Sequence, residues 1–208
     1  DKYIGDAIMA LFGAPLAHGD DAQRAVRAAL AMGHELVRLN RELTAQGLPA
    51  IATGIGINTG LVVAGNMGST HRLNYSVIGD GVNLASRIEG LTRFYGVPLI
   101  ISESAAAAAP EFIYRELDRV RVKGKLEPVR IFEPLEAGIL GDGELESYHE
   151  ALAHYRAREW RQADDILAGL AAAAPASPLY ALYRQRIANF LITPPADDWD
   201  ATVVHSEK

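Results

Sequence analysis

The sequence predicts an α+β fold, with helices packed on a mixed or antiparallel sheet and a smaller helical unit after it. Three observations lead there. Short apolar, β-branched runs at 51–57, 61–64, 75–78 and 97–101 alternate with segments of helical period. Hydrophobic residues make up 49% of the 208, enough to fill the core that such layers need. Near Glu136 the strand pattern stops and helical patterning takes over.

Taken in order, residues 1–12 form two short apolar runs around Gly5-Asp6, a turn pair that predicts a hairpin with the aspartate at its tip. After the breaker Gly13-Ala14-Pro15, Asp20 or Asp21 can cap a long helix. Its apolar residues Val26, Ala29, Leu30, Leu36, Val37 and Leu43 recur at three to four positions, and Gly47-Leu48-Pro49 ends it. The runs 51–57 and 61–64 read as buried strands, with a glycine-rich loop at 65–69 and a short strand at 75–78. Gly79-Asp80 opens a helix to about Phe94, with Val82, Leu84, Ala85, Ile88 and Leu91 on its apolar side. A strand at 97–101, an alanine-rich helix at 102–109 and a strand pair at 112–123 and 129–135 complete the first unit, residues 1–137.

Residues 138–208 form the second. Gly138, Gly141 and Gly143 make a linker, and helices follow around Tyr148, Leu152 and Tyr155, around Trp160, Ala163 and Leu167, and around Tyr180, Tyr183 and Ile187. The spacing of Trp160, Ala163, Leu167 and Pro175 resembles half of a tetratricopeptide repeat, with Tyr155 one place off register. A single repeat cannot bury its own face, so a helical hairpin packed on the first unit is the equal alternative. Pro194-Pro195 and Trp199-Asp200 predict an extended finish with one aromatic anchor.

Charge narrows the function. With 20 Lys and Arg against 26 Asp and Glu the net charge is -6, and the cations form no stripe, which argues against nucleic acid as a partner. Absence of cysteine removes disulfides, thiolate metal sites and cysteine nucleophiles together. No stretch reaches the roughly 18 to 20 apolar residues of a membrane span. The opening at Asp1, without methionine and inside a strand-like run, points to a piece of a longer protein, either cytoplasmic or the cytoplasmic part of a membrane-anchored receptor. His18, His34, His71, His149, His154 and His205 lack ligand spacing, and no Ser-His-Asp set stands out. Gly54, Gly56 and Gly60 are spaced GxGxxxG with no capped helix after them, so they read as strand-end geometry rather than a dinucleotide loop.

Three stretches in order, KYIGDAIMALFG at 2–13, GINTGLVVAGNMGS at 56–69 and YSVIGDGVNLASRIE at 75–89, followed by VKGK at 122–125, resemble the class III adenylyl and guanylyl cyclase catalytic domain. The resemblance covers about residues 1–135 and implies a ferredoxin-like cyclase fold lacking its first strand and helices. It also implies an activity: ATP becomes 3′,5′-cyclic AMP and pyrophosphate by attack of the ribose 3′-hydroxyl on the α-phosphate, in signal transduction. Guanylate cyclase, or a nucleotide-binding or dimerisation module without catalysis, are the alternatives.

Each site residue is implied by its place in these motifs. Asp6 stands at the family's second metal-aspartate position, as a hard oxygen ligand for Mg²⁺ or Mn²⁺, two per complete site. The other metal aspartate would lie upstream of Asp1, so the fragment itself is expected to be inactive. Asn83 and Arg87, four apart on one helix face, correspond to the groups that orient the ribose and stabilise charge on the α-phosphate. Lys123, Lys125 and Arg72 correspond to phosphate-binding cations, although solvated edge lysines would look the same. Lys2 matches the lysine that accompanies adenine, where guanine-specific relatives carry Glu. Ser76 sits where the family has Asp or Thr for adenine and usually Cys for guanine, and a hydroxyl can either accept or donate. Because the family places metal carboxylates on one protomer and base-reading groups on the other, a chain holding both implies a two-fold homodimer with interfacial sites. The helical tail is a candidate protein-binding surface.

Overall fold

A computed structural model describes residues 1–69, 72–125 and 127–205. The chain opens with strands β1 (Lys2–Ile4) and β2 (Ala7–Met9), which pair antiparallel as the expected hairpin. Gly5 turns the corner at φ +65°, a conformation that suits a residue without a Cβ. Helix α1 (Asp21–Ala45) follows, and Gly47 at φ +73° ends it. The Asp21 carboxylate accepts from the backbone N–H of His18 at 2.9 Å instead of capping its own helix.

Strand β3 (Ile55–Ile57) covers only the end of the apolar run 51–57. Strands β4 (Val63–Ser69) and β5 (Arg72–Ile78) form an antiparallel ribbon of their own. This corrects two expectations. Residues 65–69 are strand rather than glycine loop, because in a two-stranded ribbon the ladder opposite Ser76 and Leu73 tolerates Gly65 and Gly68. The apolar run 61–64 is not buried either: Leu61 is 99% and Val63 65% exposed. Where the sequence predicts one helix to about Phe94 there are two, α2 (Asp80–Gly90) and α3 (Thr92–Tyr95), broken at Leu91; strand β6 (Leu99–Ser102), helix α4 (Glu103–Ala108) and strands β7 (Ile113–Val122) and β8 (Val129–Leu135) follow close to the predicted segments. Helices α5 (Glu144–Arg156), α6 (Trp160–Ala173) and α7 (Pro178–Ile192) and a last strand β9 (Thr202–His205) complete the fold.

The central sheet runs β3-β6-β8-β7-β9, with β3 parallel to β6, β8 antiparallel to β6 and β7, and β9 parallel to β7. Strand alternation assigns its two faces. Leu99 and Ile101 of β6 pack with Val26 and Ala29 of α1, Ala105 of α4 and Ala109 just after it. Ile100, between them, points into the other layer, where Leu84, Ile88 and Tyr95 meet Tyr148, Tyr155, Leu167 and Tyr183 of α5 to α7. The tail helices and the sheet thus share one core. Helix α2 approaches β3 closely because Gly54 and Gly56 leave room: a Cβ on Gly56 would stand 2.3 Å from the Ala85 carbonyl oxygen.

Polar groups tie the tail down. At a register shift in β7 between Glu116 and Asp118, the buried Asp118 carboxylate accepts from Tyr95 Oη at 2.8 Å and Arg186 Nη1 at 2.6 Å. Tyr183 Oη donates to the Leu117 carbonyl at 2.7 Å. Burial, reinforced by the Asp118 charge, pushes the Tyr95 and Tyr183 phenols well above their ordinary range. Burial, the largest single effect, would lower the Arg186 guanidinium, but Asp118 together with Tyr183, Tyr95 and Tyr155 outweighs it and holds the group above its usual value.

Candidate active site

The two residues expected to read the base meet in space. Strand β1 lies beside β5, so Lys2 Nζ donates to Ser76 Oγ at 2.8 Å. Ser76 is 4% exposed, and its own proton goes to Asp1 Oδ2 at 2.7 Å. The Lys2 ammonium stands 3.5 Å from the same carboxylate oxygen, with the lysine side chain half exposed and that of Asp1 buried. Asp1 had no assigned role in the sequence, where nothing distinguishes it from any polar residue before a strand.

From Ser76, strand β5 leads through Gly79 into α2, the carrier of the next two residues. Gly79 adopts φ +151°, a backbone conformation that a side chain would strain. Asn83 is exposed on the first turns of α2. Arg87 reaches the β7–β8 turn: its Nη2 lies 3.3 Å from where a Gly124 Cβ would be, and its Nη1 is buried without a hydrogen-bond partner among the described residues. A buried guanidinium N–H left unpaired is costly, and an anion is the natural partner.

Lys123 and Lys125 flank that glycine, and Lys123, expected at the end of the strand 112–123, lies past it. Strand β7 ends at Val122. There Gly124 at φ +74° and a bond from Lys125 N–H to the Val122 carbonyl at 3.0 Å close a turn. Both lysines belong to this turn, beside Arg87. Lys123 is exposed, whereas Lys125 is engaged by the carboxylate of Asp80 at the start of α2. Asp80 is a second residue the sequence reading passed over, although an aspartate directly after Gly79 at a helix start marks it. The Arg72 side chain and His71 lie outside the described residues.

Asp6 sits at the tip of the β1–β2 hairpin, exposed. A free carboxylate on a turn suits a divalent ion as one oxygen ligand. Among the described residues no group of three or more His, Cys, Asp or Glu side chains converges to hold a metal, so Asp6 fits such an ion as part of a set and not as its whole. Among them too, no helix is long and apolar enough to cross a membrane.

Residues 2–135 match the family described as the adenylate and guanylate cyclase catalytic domain. The chain belongs to that family. Among its cyclase relatives, an adenylate cyclase of Anabaena cylindrica is 48% identical over 143 residues, which is 64% of this chain and 27% of that protein. Adenylate cyclase 1 of Rhizobium meliloti is 36% identical over 133 residues, 64% of this chain and 20% of its own length. The chain therefore spans about a quarter of the length of the curated relatives it matches. Among solved structures, the adenylyl cyclase CyaB of P. aeruginosa superposes with a TM-score of 0.61 at 33% identity, covering 68% of this chain and 74% of that one. The guanylyl cyclase Cya2 superposes with a TM-score of 0.60 at 39% identity, covering 68% and 73%. These likenesses agree with the α+β layers described above and leave the purine to be argued from the site.

Proposed function

We propose that this cyclase domain acts on ATP, forming 3′,5′-cyclic AMP and pyrophosphate. The observation that carries the reading is the contact of Lys2 with Ser76 within one chain, on the strand that leads directly into the helix bearing Asn83 and Arg87. In the reaction a bond forms between the ribose 3′-oxygen and the α-phosphorus. The bond from that phosphorus to the bridging oxygen breaks, its electron pair leaves on pyrophosphate, and the 3′-proton passes to solvent. Asn83 orients the ribose. Arg87, whose guanidinium has an N–H with no partner among the described residues, stabilises the charge that gathers on the α-phosphate. Lys123, Lys125 and Arg72 receive the outer phosphates.

Cyclases of this family work with divalent metals, and Asp6 would hold Mg²⁺ or Mn²⁺ as one ligand. A bound ion of that kind lowers the pKa of a hydroxyl and neutralises phosphate charge.

A two-fold homodimer supplies the partner for Asp6. Supporting it are exposed apolar side chains on the two ribbons and just before the second, Tyr3 at 81%, Ile8 at 70%, Leu61 at 99% and Val63 at 65% exposure, the kind of surface that marks association. Sedimentation of the full-length protein tests it. A monomer with full activity overturns the interfacial site.

The activity is tested by incubating the full-length protein with equal ATP and GTP and weighing the cyclic products. Cyclic AMP should dominate, and Asn83→Ala or Arg87→Ala should lower turnover by roughly two orders of magnitude. Near-normal turnover in both variants overturns the assigned roles. A guanylate cyclase is the second reading, favoured by the 39% identity to Cya2; a dominant cyclic GMP product decides for it.

A further inference from the structure

A serine hydroxyl at a base-reading position leaves the purine undecided, because it can accept from an amine or donate to a carbonyl. In this chain a third residue removes that freedom. The Asp1 carboxylate has no proton to give, so the 2.7 Å contact fixes the Ser76 proton on the Asp1 side. Lys2 Nζ occupies one of the Ser76 lone pairs at 2.8 Å. What Ser76 then offers a ligand is a single lone pair. Lys2 spends one proton on Ser76 and points another toward Asp1, 3.5 Å away, leaving one for a ring nitrogen.

Donor beside acceptor matches one purine edge. Adenine presents an acceptor at N1 next to a donating 6-amino group, so it completes both bonds. Guanine presents a donor at N1, facing an ammonium, and an acceptor at O6, facing an oxygen that has no proton to spare. Buried polar groups left unpaired in this way are what make a site reject the wrong ligand.

We infer that Asp1 is a specificity-determining positioning residue, which sets the direction of the Ser76 hydroxyl and thereby selects adenine over guanine nucleotides. It acts through Ser76 and need not touch the base. The inference rests on the proposed reading of this site as one that binds a purine triphosphate.

The test uses the full-length protein and its Asp1→Asn and Asp1→Glu variants, with kcat/KM for ATP and GTP and, separately, dissociation constants for fluorescent ATP and GTP analogues. An asparagine amide can donate to Ser76 and turn its proton toward the ligand. Asp1→Asn should therefore lower the ATP to GTP ratio by roughly ten-fold or more, in binding as in turnover, since a hydrogen bond to a charged group is worth about that factor. Asp1→Glu, which restores a carboxylate, should hold the ratio closer to that of the parent. A merely structural role would weaken both nucleotides together and leave the ratio unmoved, and that result overturns the inference.

Should Asp1→Asn fail to fold, the parent protein still decides the matter with purine riboside triphosphate, which keeps N1 and lacks the amine. Its binding should be weaker than that of ATP by roughly ten-fold, and equal binding overturns the inference. Binding without cyclic product refutes the catalytic reading alone, because the binding ratio still judges Asp1. Binding of neither nucleotide overturns both.

Discussion

The guanidinium of Arg186 stands 2.6 Å from the carboxylate of Asp118, joining the last helix to the middle of the sheet by an ion pair that water scarcely reaches. Arg186→Met should therefore destabilise the chain by about 3–5 kcal/mol, because it leaves a buried carboxylate with only neutral donors, the Tyr95 hydroxyl and the Arg119 backbone N–H. Urea unfolding at neutral pH measures this. A loss below about 1 kcal/mol would mean the pair is not sealed from solvent.

Acid should loosen the same junction. Burial lowers the pKa of His205 on β9, opposed by Asp118 and assisted by Arg186, and burial likewise lowers that of His149 on α5, which accepts from the Glu116 N–H at 3.3 Å. Both imidazoles are neutral when folded, and the unfolded chain takes up protons first as pH falls. Their contribution is complete above the ordinary histidine value near about 6.5 and is lost as pH drops through that value and below it. Melting midpoints from about pH 7.5 down to about pH 5.5 should fall, and the fall should be shallower in a His149→Gln, His205→Gln double variant. An unchanged slope would refute this origin.

Gly56→Ala should damage the site from beneath. The new Cβ would lie 2.3 Å from Ala85 O and 2.6 Å from Glu89 N, both backbone atoms of α2, so the helix must shift and carry Asn83 and Arg87 with it. A stability loss of about 1–3 kcal/mol is expected, with turnover reduced by roughly ten-fold or more. Gly90→Ala, whose Cβ meets nothing within 4 Å, is the control and should behave as the parent.

Freeing Lys125 should help the phosphates bind. Asp80→Asn removes the carboxylate that engages it, and the KM for ATP should fall by about two- to five-fold at low salt. The difference should shrink as salt rises, since both side chains are reached by solvent. A KM that rises would show instead that Asp80 orders the turn.

Periodicity exposed most of the layers. The helix at 21–45, the helix opening at Asp80 and the pair β7–β8 carry their apolar residues at one consistent spacing, and Gly47 and Gly79 stand where the backbone needs them. The ribbon β4–β5 misled for a physical reason: Val63, Leu73, Tyr75 and Ile78 are exposed while Val77 is buried, and a hydrophobic run carries no sign of which side it will face. Strand β9 was legible only as extended chain, because its partner β7 lies more than 80 positions upstream. Motif order placed Lys2, Ser76, Asn83 and Arg87 correctly on their elements. It could not foresee that Lys123 and Lys125 share a turn that lies against Arg87, nor that Asp1 holds the serine proton, since both depend on contacts between distant segments.

Both tryptophans of the chain, Trp160 and Trp199, stand 5.5 Å apart between ring centres, with Tyr155 and Phe190 around them. Ultraviolet emission excited at the indole band therefore originates wholly from this aromatic knot between α5, α6 and α7. Nucleotide arriving near Lys2 and Arg87 has no indole beside it to quench. Any change in that glow on adding ATP would report a displacement carried from α2 through the core it shares with the tail helices.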